Sequence, residues 1–307
     1  MLSRKAIVDR TIQFRNPPRI PIWVDGAHLE YSDILTYDLS LCDEDDPNVS
    51  EWGFARIMTP EGGWAIPKEA VLADWKEVDV YKAPPHNYPR RLGRIAKLAG
   101  VCQDRYRLAS FGMSGYSVYC ALRGEELSLV DCLIEPDRFL ELMECIFEFE
   151  TDMFDILVRK GFHGIEFCDD WGERKTSKMT LSLWRCLLKN HYARQFKRAR
   201  DSGLHVWFST SSECSGFFGD LREIGANVVR VETPYSMEVA TLGRKYRGKV
   251  AFATRLDELV GNSESIDPVR HVYECLSTNN GGFIGTIADN VPEENIRKAI
   301  EVMGRIR

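Results

Sequence analysis

Residues 164–173 read "GIEFCDDWGE". The run from Gly164 to Cys168 is short and mostly apolar, and it stops at two adjacent carboxylates, Asp169 and Asp170. Two neighbouring aspartates each disfavour the other's charge. The pair is therefore either an acidic loop or a strand tip with chemistry to perform. Five other stretches have the same form: "YRLASFG" (106–112), "HVWFST" (205–210), "NVVRVET" (227–233), "VAFATRLD" (250–257) and "GGFIGTI" (281–287). Helical patterns fill the intervals, over residues 136–160, 182–202, 216–225, 237–246, 268–277 and 292–307. Short apolar strands alternating with amphipathic helices describe a parallel sheet covered on both faces.

Upstream, "RIPIWVDG" (19–26) adds one more strand. Residues 51–68, "EWGFARIMTPEGGWAIPK", read as a β-hairpin with a Pro- and Gly-rich turn, an excursion outside the main sheet. The count is about seven parallel strands, with one further strand not located. We therefore expect an α/β fold, a (β/α)8 TIM-type barrel forming a single domain over residues 1–307. An open doubly wound sheet is the alternative. No GxGxxG follows a strand and no GxxxxGK[ST] occurs, so nucleotide binding has no motif to support it.

Composition narrows the partners. A net charge of −6 and a pI near 5.7 argue against a nucleic-acid surface, which needs a concentrated basic patch. No apolar run approaches the length needed to span a bilayer, so no membrane partner is expected. The nine cysteines are scattered, none forms a CxxC pair, and the N-terminus lacks the apolar centre of a secretion signal. These features lead us to expect free thiols and a cytoplasmic location.

A barrel of this class places its chemistry at the C-terminal ends of the strands. Those ends carry Trp23 and Asp25; Ser114 and Tyr116; Asp169, Asp170 and Trp171; Ser209; Glu232; and Arg255 with Asp257. We take Asp169, Asp170 and Glu232 as candidate catalytic carboxylates, because acids gathered in one hollow have shifted pKa values suited to proton transfer. The remaining residues are candidate substrate contacts, with Trp23 and Trp171 as ligand walls. Plainer roles stay open: either aspartate as a helix cap, Glu232 as the partner of Arg230 or Arg255, and Ser209 to Ser212 as a simple turn.

Four segments carrying five features together resemble the uroporphyrinogen decarboxylase superfamily, which includes corrinoid-dependent methyltransferases. "EWGFARIMTPEGGWAIPKEAVLADWKEVDVYKAPP" is similar to its Glu-Trp-Gly hairpin and the tract behind it. "YCALRGEELSLVDCLIEPDRFLELME" resembles its helical lead into a Pro-containing helix. "RGKVAFATRLDE" is similar to a late strand ending at Asp257, and "VPEENIRKAIEVM" to the closing helix. The resemblance implies a (β/α)8 barrel, in agreement with the strand count.

The carry-over of function is selective. Many of these methyltransferases resemble one another in a His-x-Cys zinc motif after the strand matching "GLHVWF" and in a later cysteine. Here Ser209-Thr210-Ser211 and "GTIADN" stand at those places, so zinc is not supported by the usual ligands. The decarboxylases share an N-terminal Arg-Gln-Ala-Gly-Arg stretch that meets a polyanionic tetrapyrrole, where this chain reads "IPIWVDGAHLEY". The expectation is therefore an enzyme that moves a methyl group from a small methyl ether or methylamine to a corrinoid on a partner protein. A decarboxylase and a non-catalytic binding barrel are the alternatives.

Overall fold

The computed structural model describes residues 2–26, 28–58, 64–99, 103–171, 179–210, 215–231, 239–261, 266–288 and 291–306. Its strands are β1 (Ile22–Val24), β2 (Ile34–Asp38), β3 (Ile57–Met58), β4 (Trp64–Ala65), β5 (Tyr106–Ser110), β6 (Gly164–Cys168), β7 (His205–Thr210), β8 (Val228–Val231), β9 (Ala251–Arg255) and β10 (Phe283–Ile287). The helices up to β6 are α1 (Arg4–Ile12), α2 (Trp75–Val80), α3 (Pro89–Ala99), α4 (Gly115–Arg123), α5 (Glu125–Ile134), α6 (Pro136–Asp152) and α7 (Phe154–Arg159). Those after it are α8 (Leu181–Leu187), α9 (Lys189–Asp201), α10 (Phe218–Ile224), α11 (Val239–Tyr246), α12 (Asp257–Gly261), α13 (Asp267–Leu276) and α14 (Glu293–Ile306).

Eight strands form one parallel sheet in the order β1-β10-β9-β8-β7-β6-β5-β2, which is the (β/α)8 barrel expected from the sequence. The eighth strand is β2, whose five residues begin only ten positions beyond the end of β1. β3 and β4 pair antiparallel, with Ile57 opposite Ala65 and Met58 opposite Trp64, as the hairpin reading required.

The chain packs as two compact units: Met1–Tyr37, Val101–Leu108 and Trp207–Arg307 form the first, and Asp38–Gly100 with Ala109–Val206 the second. In the first unit, a core of Val8, Ile12, Trp23, Ile34, Tyr106, Leu108, Trp207, Val228, Ala251, Ala253 and Ile284 is buried. Period two along β8, β9 and β10 then puts Arg230, Arg255 and Thr286 on the same strand faces as Val228, Ala253 and Ile284. The residues just before β2 meet β1 through a backbone bond from Asp33 N to Ile22 O at 2.8 Å and through side chains. The Asp33 carboxylate accepts from Ile22 N at 2.9 Å, and Ser32 Oγ accepts from Val24 N at 3.0 Å. Arg19 closes on both Asp33 oxygens at 2.6 Å each.

In the second unit, Arg123 and Asp131 form a forked ion pair at 2.8 and 2.9 Å, buried beneath the Trp75 ring. Tyr119 donates to the same carboxylate at 2.8 Å. No helix among the described residues is long and apolar enough to cross a membrane. The seven described cysteines are free thiols.

Close helix packing in the first unit depends on Gly243 of α11, where an added Cβ would overlap the carbonyl of Cys275. Alanine ordinarily favours a helix over glycine by about 1 kcal/mol. We expect Gly243→Ala to lower stability nonetheless, by about 2 kcal/mol, because backbone cannot yield as a side chain does. Urea denaturation checks this; a midpoint equal to or above that of the parent protein would contradict it.

Candidate active site

The sequence "FGMSGYS" turns out of β5 into α4 without a side-chain cap from Ser114, which occupies the cap position. The first three N–H groups of α4 are orphan donors in any helix. Carboxylates from elsewhere in the second unit accept them. Gly115 N donates to Glu150 Oε1 at 2.8 Å, Tyr116 N to Asp169 Oδ2 at 3.0 Å, and Ser117 N to Asp169 Oδ1 at 2.8 Å. Asp169 also accepts from Ser117 Oγ at 2.7 Å, Asp170 N at 2.8 Å, Trp171 Nε1 at 2.8 Å and the Tyr192 hydroxyl. Six donors thus surround one carboxylate, and its acceptor positions are filled.

Burial pushes the Asp169 carboxyl up from its ordinary value, while hydrogen bonds from Tyr192, Ser117, Trp171 and Asp170 pull against that rise. The structure corrects the role expected for Asp169. It is 2% exposed and saturated with donors, so it fixes the α4 terminus to the tip of β6 and has no free face for a substrate. Asp170 is its half-buried neighbour, with its own N–H held by Ser117 Oγ and Asp169 Oδ1.

Gly115 is the condition for this arrangement. Its φ is +53°, and an added Cβ would strike the Tyr192 hydroxyl and come within 2.5 Å of Asp169 Oδ2.

Three other expected ligand contacts in this unit are core residues. Ser114 is fully buried. Tyr116 is 3% exposed, stacked on Tyr119 and set edge-on to Phe139. Trp171 is 1% exposed, tilted on Trp184 at 4.7 Å and edge-on to Tyr192. Each is covered by its neighbours, so none walls a ligand site.

In the first unit, Arg230 lies 4.3 Å over the Trp23 ring and pairs with Asp25 at 2.7 Å. Trp23 is buried and set edge-on to Trp207, and is part of the core. Arg255 pairs with Asp257 through Nε at 2.9 Å and through a second contact from Nη2. Ser209 is buried in register with Arg230, and Trp23 aligns with Thr286, which aligns with Arg255. Sequence order alone suggested an acidic rim; the structure balances Asp25 and Asp257 with arginines from β8 and β9. Glu232 and Ser211 lie outside the described residues.

Two features escaped the sequence reading. The first is Glu150, which is 1% exposed and accepts also from Gln195 Nε2. Burial raises its carboxyl to about 8, with Asp169 adding repulsion and the bonds from Gly115 and Gln195 opposing the rise. The second is a partly open pocket that has Glu150 among its lining residues. Its walls are aromatic (Trp52, Phe54, Phe111, Phe149), and Met113 and Glu51 also line it. Phe111 and Met113 follow β5 directly, so the pocket opens where barrel enzymes keep their chemistry. A signal for Glu150 exists in the sequence. It falls on the helical stripe of Leu142, Met143, Ile146, Phe147 and Phe149, the buried face of α6.

Among the described residues at the end of β7, the donor chemistry does not match a thiol-activating zinc site. Ser209 and Thr210 put hydroxyls where thiolate and imidazole ligands are wanted. Among the described residues, His28, Glu30 and Glu293 lie close enough to share an ion. The Glu293 carboxylate is already engaged by Tyr31 and Arg297, and the group contains no thiolate.

The architecture defines a barrel of the class that works at its strand tips. No protein-family model matches the sequence, and no curated protein matches it. Among solved structures, the methyltransferase from Methanosarcina mazei is similar over 99% of both chains, with a TM-score of 0.73 and 11% identity. A D-psicose 3-epimerase from Clostridium cellulolyticum H10 has a TM-score of 0.47 at 11% identity, over 76% of this chain and 86% of its own. Phosphonopyruvate hydrolase has 0.46 at 10% identity, over 99% and 85%. The full-length likeness establishes the fold and agrees on that level with the resemblance read from the motifs.

Two outcomes test this site. Asp169→Asn turns an amide N–H₂ toward existing donors and should cost about 3 kcal/mol, whereas Asp170→Asn should stay within about 0.5 kcal/mol of the parent. Equal effects in chemical denaturation would refute the assignment.

The folded protein also holds the Glu150 proton up to about pH 8, against an ordinary 4.5. Its contribution is fully present below the ordinary value and is lost as pH rises through the folded one. Between pH 5.5 and 7.5 the parent should therefore lose about 2 kcal/mol that Glu150→Gln retains. Parallel stability profiles for the two proteins would be inconsistent with this.

Proposed function

We propose that this protein is an enzyme, a corrinoid-linked methyltransferase. It takes a methyl group from a small methyl ether or methylamine and passes it to a corrinoid carried by a separate protein. The observation that carries this reading is the aromatic pocket at the end of β5, with Glu150 among its lining residues and the fixed Asp169–Asp170 tip in the same unit. The full-length likeness to a methyltransferase supports the scaffold.

In this reading the aromatic walls exclude water and hold the apolar body of the donor. The C–O or C–N bond breaks with its electron pair left on the heteroatom, and the methyl group leaves for the reduced corrinoid. An ether oxygen then needs a proton, which a carboxyl at the pocket provides. In this reading Asp170, at the tip of β6 and outside the lining of the pocket, assists as acid or base, and Asp169 is a positioning residue that fixes Asp170 and α4. The arginine–aspartate pairs at the other strand ends favour this reading over a decarboxylase for a polyanion. Arg230 and Arg255 already face carboxylates, so a tetrapyrrole's acid groups would compete for them.

Incubation with a reduced corrinoid protein and a panel of methoxylated aromatics and methylamines should produce methylcobalamin from at least one donor, followed by absorbance. Asp170→Asn should slow that transfer about 100-fold. Absence of methylcobalamin with every donor would count against the proposal.

A further inference from the structure

Among the described residues no cation pairs with Glu150, and unlike Asp169, which six donors compensate, it receives only two hydrogen bonds. Asp131 pairs with Arg123, and Glu51 with Arg91, which is itself buried. Burial lowers Arg91 only to about 10, so its guanidinium keeps its charge beside Glu51 at neutral pH. The partners of Glu150 are one backbone N–H and one amide. Gln195 presents its N–H side to Oε2, the arrangement that suits an ionised carboxylate, and leaves its own Oε1 buried without a hydrogen bond.

Among the described residues, the charged groups around this carboxyl are few. Asp169 at the tip of β6 repels it. Glu51 is occupied by Arg91 and by Leu41 N. Arg56 stands at the exposed edge and bonds to the carbonyl of Pro47. An isolated buried carboxylate is costly, and a cation against it removes that cost. The walls suit such a cation, because aromatic faces attract ammonium groups within about 6 Å of their centroids. Arg91 already makes that contact with Phe149 at 4.9 Å, from behind the pocket wall.

We infer that this pocket binds a small apolar ammonium ion, with its nitrogen against Glu150 and its hydrocarbon body among Trp52, Phe54, Phe111 and Phe149. As a substrate assignment this rests on the methyl-transfer reading and selects the amine donor; as a binding site it does not depend on that reading. Bound cation favours ionised Glu150, so binding releases the proton that the empty pocket holds.

Benzyltrimethylammonium and the uncharged benzyl methyl ether, titrated calorimetrically without any corrinoid protein, test the inference. With a carboxyl near 8, affinity for the cation should rise about twentyfold from pH 6.5 to 8.5. Affinity for the ether, which can only accept the Glu150 proton, should fall over the same range. Glu150→Gln should abolish the pH slope and weaken the cation at least tenfold. Trp52→Leu, which removes one wall, should weaken the cation without changing the slope. Should Glu150→Gln fail to fold by circular dichroism, the slope of the parent protein and the Trp52 variant decide.

No cation binding at millimolar concentration, a flat pH profile, or an ether bound more tightly than the cation at pH 8.5 would overturn the inference. Cation binding with these slopes, but no methyl transfer, would leave it standing and count against the methyltransferase reading alone.

Discussion

A nine-residue helix begins with its first three N–H groups pointing at two buried carboxylates, and the site in the second unit depends on that contact. The N-terminus of α4 carries partial positive charge from its aligned peptide dipoles. Asp169 and Glu150 meet it from β6 and α6. Placing two acids in the interior would be prohibitive without such donors, since an unpaired ionised carboxylate loses many kcal/mol of hydration. Six hydrogen bonds to Asp169 offset this, and Gly115 lets them form by presenting no Cβ to Tyr192 or Asp169.

That contact also sets the position of everything around it. Asp170 inherits a fixed backbone because its N–H joins the same network. Trp171 and Tyr192 are held by their polar ends while their rings pack with Trp184 and Phe196, so the network and the aromatic core reinforce each other. Phe111, Met113 and Val118, which precede or belong to α4, are thereby set against Trp52 and Phe54 of the segment before the hairpin. Nearby, Arg91 ties the Glu51 carboxylate and the carbonyls of Leu39 and Pro85 together, so the outer wall does not need the ligand to organise it.

Much of this was legible in the sequence, and the exceptions have physical causes. Strands such as "HVWFST" and "GGFIGTI" announce themselves because burial on both faces demands continuous apolar residues. β2 did not, because "ILTYD" follows β1 with only a three-residue turn of helix between them, breaking the strand–helix rhythm. The Asp169–Asp170 tip was visible as a pair of acids ending a strand. Its division of labour was not, since the donors that saturate Asp169 come from residues 115–117 and 192. Trp171 looked like a ligand wall for the same reason: position along a strand says nothing about which neighbours cover a ring. The Arg230–Asp25 pair spans more than two hundred residues of chain, so a count of acids at strand ends overstated the negative charge.

Two carboxylates cap one helix, yet their chemistry diverges because of the number of donors each receives. Asp169 has six, shared across both oxygens, and no lone pair remains for a ligand. Glu150 has two, one on each oxygen, and lies on a pocket wall. Repulsion between them works against both being charged, and the burden falls on the acid with fewer donors. The better-bonded group becomes structure, and the poorer one keeps a titratable proton beside the aromatic pocket. The helix terminus that fixes the tip of β6 thus also leaves one buried acid with few donors beside the pocket.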